Sequence, residues 1–147
     1  MIALIAGSAA LGYRQIKGSV ATGADPADTA LVTRGRVVYD GQCARCHGGD
    51  LEGQPDWRTR LPTGRLPAPP HNASGHTWHH PDAVLFDITK GGVQTHAPAG
   101  YQSDMPAFEG ILSDADIWAA LSYIKSRWPK EIQQKHSVLN RNAGNQN

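Results

Sequence analysis

The sequence predicts an all-α fold of short helices joined by long loops. Apolar residues recur at helical spacing in three separate stretches: Leu31, Gly35 and Val38; Val84, Leu85 and Ile88; Ile117, Leu121, Ile124 and Trp128. Ten prolines and sixteen glycines point to irregular connections rather than a regular bundle. The only two cysteines stand as Cys43-x-x-Cys46 directly before His47, just past the first helical stretch. A chain of 147 residues suits one domain, with an ordered part nearer about a hundred residues. Domains that small have a limited core and commonly need a staple. Fourteen basic and thirteen acidic residues nearly cancel and are spread over both halves. That excludes the basic stripe of a nucleic-acid binder.

Taken in order, residues 1–13 are uncharged and mostly small or apolar. They are too few to span a bilayer, which needs about 20 residues. They also lack the positive region that opens a secretory signal. The segment reads either as the remnant of an export signal or anchor, or as a short helix contacting a membrane or partner. Residues 14–27 are polar and contain glycine, a linker by composition. A helix is predicted over 28–39, capped by Asp25 or Asp28. Gly35 in its middle costs roughly 1 kcal/mol against alanine and so needs a packing reason.

Residues 48–70 are crowded with glycine and proline and read as a loop without regular structure. A short helix follows over 81–90, with His80 before Pro81 at its first position and Gly91 as its stop. Residues 91–110 form another loop. Ser113-x-x-Asp116, a variant capping box, opens a helix that buries Ile117, Leu121, Ile124 and Trp128, with Ala120 at the edge, and that Pro129 ends. Residues 131–147 are predicted to be a polar, disordered tail, asparagine-rich over 140–147.

The chemistry concentrates at Cys43-Ala44-Arg45-Cys46-His47. Cys-x-x-Cys-His is the pattern of covalent c-type haem attachment. The thiols add across the two vinyl groups of the porphyrin, and the adjacent histidine becomes an axial iron ligand. A thioredoxin-like redox pair would need a βαβ context, and nothing upstream reads as a buried strand. A zinc site would need further ligands, usually a second cysteine pair. A disulfide across so short a loop would close little chain entropy. Apart from Met1, the only methionine is Met105, in Asp104-Met105-Pro106-Ala107-Phe108. Methionine often fills core gaps, but one on a polar, Pro-flanked loop suits a thioether ligand to iron better. His96 is the weaker competitor for that position.

The residues that carry a resemblance are Gly35-x-x-x-Tyr39, Cys43 to His47 with Gly48 after it, Met105-Pro106-Ala107-Phe108, and the helical stretch from Ser113 to Trp128. Over roughly 28–130 the chain resembles the class I, monohaem cytochromes c of bacteria. The resemblance implies a cytochrome c fold, with helices and loops wrapped around one covalent haem c as the staple. It implies His47 and Met105 as the axial ligands. It also implies that a proline carbonyl accepts the Nδ1–H of His47, with Pro69 favoured over Pro70. Trp78 would pack near a haem propionate. The function implied is one-electron transfer between larger redox proteins or within a membrane complex, in the periplasm, with 1–13 as a membrane or partner contact.

No acid/base pair or nucleophile stands out, so an electron carrier without a small-molecule substrate is expected rather than an enzyme. Two alternatives stay open. A haem with a vacant position would bind a gas or peroxide. The histidines of loop 71–80 (His71, His76, His79 and His80) would handle copper, against the simpler reading of a polar surface loop.

Overall fold

The computed structural model describes residues 21–145; segment 1–13 and the first part of the linker lie outside the described residues. Among these the chain forms five α-helices, two 3-10 turns and no strand. The first, α1 (Thr29–Gln42), starts at Asp28, whose carboxylate accepts the Leu31 amide at 3.0 Å. Such a cap satisfies one of the amides a helix start leaves orphaned. A single turn, α2 (Ala44–His47), follows immediately and carries the second cysteine and the histidine. After a long loop and a 3-10 turn at Thr77–His79 come α3 (Asp82–Gly91), α4 (Asp114–Ser126) and α5 (Lys130–Gly144). The stop of α3 is Gly92, one residue later than the predicted Gly91. Ser113 caps α4 by accepting the Asp116 amide at 3.2 Å and donates to the Asp116 carboxylate at 2.6 Å.

Helices α1 and α4 form the main crossing. Gly35 is buried there, and a β-carbon at that position would lie 1.9 Å from the carbonyl oxygen of Ala119. The glycine permits a backbone approach that no side chain would allow. Arg34 ties the same crossing at its edge, with 2.7 Å between its guanidinium and Asp116.

Gly35 meets Ala119 and Tyr123 at this crossing, and the core divides in two. Tyr39, Leu51, Tyr123, Ile124 and Trp128 form one cluster; Leu85, Ile117 and Leu121 form the other. The reason is that α4 is buried on more than one stripe: residues 119–125 are all buried, Ser122 and Lys125 included. A helix enclosed by neighbours on several sides does not show a single apolar face.

Those buried polar groups are satisfied by distant partners. Ser122 accepts the Asp25 amide at 2.9 Å. The Lys125 ammonium donates to Asp82 at 2.6 Å and to the Ala24 carbonyl at 3.1 Å.

The predicted disordered tail is a helix as far as Gly144. In α5 the one buried residue is His136, whose Nε2–H donates to the His80 carbonyl at 2.9 Å and whose ring meets Trp128 edge-on at 4.9 Å. Asn140, one turn on, donates to the Asp82 carboxylate and accepts the Asp82 amide, at 2.9 and 2.8 Å. The helix therefore docks through these polar groups together with Ile132, which packs against the Tyr39 cluster.

Candidate functional site

The geometry of the Cys-x-x-Cys-His run is set by α1. Tyr39, fully buried, donates its hydroxyl to the Gly48 carbonyl at 2.8 Å, and its own carbonyl accepts the Cys43 amide at 2.8 Å. Both ends of the run are thus held by one residue of the core. The His47 amide bonds the Cys43 carbonyl at 3.0 Å, so the run is one helical turn. Residues three and four apart are neighbours on such a turn, so Cys43 has Cys46 and His47 on its own side. Cys43 and Cys46 are not joined in a disulfide.

Cys43 packs against the Tyr39 cluster, and that burial, with Cys46 beside it, pushes its thiol pKa up to about 11. A redox Cys-x-x-Cys motif works through a thiolate of lowered pKa. This thiol is shifted the other way.

His47 is 6% exposed, and its Nδ1 lies 2.8 Å from the Pro69 carbonyl oxygen. A carbonyl only accepts, so Nδ1 carries the proton and Nε2 keeps the lone pair. Burial lowers the ring's pKa, partly opposed by the Pro69 bond, which keeps the imidazole in the neutral form a metal needs.

The Pro69 carbonyl is fixed by close backbone packing on either side. A β-carbon at Gly53 would come 2.7 Å from the Pro69 carbonyl carbon, and one at Gly75 would come 1.9 Å from the Pro70 oxygen. The Gly53 amide also donates to the His47 carbonyl at 2.8 Å.

A residue the sequence placed on the surface belongs to this site. His71 stacks on His47 with ring centroids 4.0 Å apart and planes 24° apart. Burial, and secondarily its neighbours His47 and His76, hold its pKa well below the ordinary histidine value. Its place follows from Pro69, which lies two residues before it and whose carbonyl holds the His47 ring. The histidine-rich composition of the loop hid that position.

Met105 comes from a separate loop and is partly buried; its amide donates to Ser103 Oγ at 3.1 Å. The loop is held at both ends. Asp104 pairs with Arg65 of the 48–70 loop, while the Phe108 amide bonds the Thr89 carbonyl of α3 at 3.1 Å with the Phe108 ring buried.

The Cytochrome c family model matches residues 32–128, which include every one of these side chains. The chain belongs to the cytochrome c family. Haem c bound covalently and electron transfer through it are the family's properties, and a class I monohaem member is consistent with the match. Neither the curated proteins nor the solved structures compared with the chain gave a match. The residues present fit the family's cofactor: two unpaired thiols on one turn, a neutral imidazole with Nε2 unprotonated, and one thioether on an anchored loop.

The other residues singled out in the cytochrome's sequence have protein partners. Trp78 packs against the Tyr39 cluster, stacks on His79 at 3.7 Å and donates its indole N–H to the Ala73 carbonyl at 3.3 Å. His76 stacks on Trp57 at 5.4 Å, and His96 lies 3.4 Å from the Asp87 carboxylate. Among the described residues no three His, Cys, Asp or Glu side chains form a group able to hold a metal ion. No helix there is long and apolar enough to cross a membrane.

Proposed function

We propose that this cytochrome carries one haem c, with His47 and Met105 as axial ligands, and passes single electrons between larger redox proteins. The observation that carries the reading is the 2.8 Å hydrogen bond from His47 Nδ1 to Pro69. A second partner of this kind fixes a ligating imidazole's tautomer and raises its basicity. Cys43 and Cys46 would hold the group through thioether bonds. When bound, haem supplies a one-electron iron couple whose potential follows axial ligand identity, second-sphere hydrogen bonding and burial.

The protein's own part is to hold two ligands from different segments against a changing iron charge. His47 is fixed by Pro69 and by the turn under Tyr39. Met105 is fixed between the Asp104–Arg65 pair and the Phe108–Thr89 hydrogen bond. His47 and Met105 together would leave the bound iron no position for a substrate, which favours a carrier over an enzyme. Attachment of c-type haem outside the bacterial cytoplasm supports a periplasmic location, with segment 1–13 as a contact to a membrane or a larger complex.

The test is replacement of Cys43 and Cys46 by alanine. The variant is expected to give no haem-stained band on a denaturing gel and to be largely unfolded, whereas the parent gives a stained band and a low-spin ferric spectrum with a sulfur-to-iron band. Covalent haem in the Cys-free variant would overturn the attachment. A high-spin parent spectrum would overturn the His47/Met105 pair and favour the gas- or peroxide-binding alternative.

A further inference from the structure

The hydrogen bond to Pro69 fixes one atom of the His47 ring but leaves the plane free to turn about the line from Nδ1 to the carbonyl oxygen. A flat partner removes that freedom. With ring centroids 4.0 Å apart and planes 24° apart, rotation of His47 would drive a ring edge into the face of His71. For this to constrain His47, His71 must itself be rigid, and it is held at three polar points. Its Nδ1 lies 2.8 Å from Thr77 Oγ1. Its amide donates to the Leu51 carbonyl at 2.9 Å, and its carbonyl accepts the Trp128 indole N–H at 2.7 Å. Tyr39 meets its ring edge-on at 6.3 Å. Tyr39, Leu51, Thr77 and Trp128 are all buried.

We propose that His71 is a positioning residue for His47: clamped by Thr77, its ring sets the rotational angle of the imidazole plane that faces the iron. The inference rests on His47 being an axial ligand. That angle decides which iron d orbitals the imidazole π system overlaps, so it is read directly in the magnetic signature of the ferric haem. Fold stability alone does not move this signature.

The experiment uses the haem-loaded protein and three variants, His71→Leu, His71→Phe and Thr77→Val. Electron paramagnetic resonance g-values and haem-methyl NMR shifts of the ferric form are the readouts. Thr77→Val keeps the side chain's shape while removing the clamp, so it serves where His71→Leu does not fold. Shifted or split low-spin signals are expected for His71→Leu and Thr77→Val. His71→Phe, which restores a flat ring, is expected to lie nearer the parent than His71→Leu. Unchanged g-values and methyl shifts in an intact low-spin Thr77→Val holoprotein would overturn the positioning role alone. A parent with no covalent haem or no low-spin signal would overturn the ligand reading as well.

Discussion

Gly35 of α1 lies against the peptide of Ala119 in α4, where a β-carbon would come 1.9 Å from the carbonyl oxygen and 2.5 Å from the carbonyl carbon. The obstacle is backbone in the middle of a buried helix, so it has no flexible end to swing away. One turn on from Gly35, Tyr39 holds both ends of the Cys-x-x-Cys-His turn. The spacing of the helices and the geometry of the site are therefore linked through a single residue.

Gly35→Ala separates two effects of opposite sign. Helix propensity alone would stabilise the variant by up to about 1 kcal/mol. Overpacking costs about 1–3 kcal/mol. With a contact this short the steric cost is expected to win, lowering the denaturant midpoint, and Gly35→Val should lower it further. A midpoint raised in the alanine variant would show that α1 and α4 do not cross at Gly35.

The glycine shows how far the sequence reaches. A mid-helix glycine signals a close approach to another helix, but the residues it faces cannot be chosen when α4 is buried on several sides. Local signals narrow the first cap to Asp25 or Asp28 and place the second at Ser113 and the loops around Pro69 and Met105, because each depends on residues a few positions apart. Helix α5 was missed because its docking rests on His136 and Asn140, which reach His80 and Asp82 across a long sequence separation. No composition rule sees such pairings. His71 was missed for the same reason: its stacking on His47 follows from the Pro69 carbonyl that holds the His47 ring, not from the composition of its own loop.

The docking of α5 carries a pH dependence. His136 is 1% exposed, and burial holds its imidazole below the ordinary value of 6.5; Lys125 lowers it further, while the His80 carbonyl and Asp82 oppose the shift. A histidine with a depressed folded pKa takes up its proton more readily when unfolded. Its contribution to stability is then complete above the unfolded value and is lost as pH falls from there toward the folded value. The unfolding midpoint is expected to fall as pH drops below about 6.5, with His71, His76 and His80, also lowered by burial, sharing the slope. His136→Gln keeps an N–H donor for the His80 carbonyl but cannot titrate. Its slope should be shallower than the parent's in matched denaturation series, and equal slopes would remove His136 from the account.

Met105 and His96 are the two candidates for the second axial position, and their surroundings differ. His96 faces the Asp87 carboxylate of α3 at 3.4 Å. Met105 sits on a loop tied down at Asp104 and Phe108. Met105→His should keep a six-coordinate, low-spin haem but lower its reduction potential, because imidazole donates to ferric iron better than a thioether does. His96→Ala should leave both the potential and the sulfur-to-iron band in place. Redox titration of the two variants beside the parent decides between the ligands. A potential unchanged by Met105→His but moved by His96→Ala would transfer the ligand role to His96. The Asp104–Arg65 pair is exposed on both sides, and pairs of that kind contribute only about 0–1 kcal/mol, so the Phe108–Thr89 bond is the firmer tie of the Met105 loop.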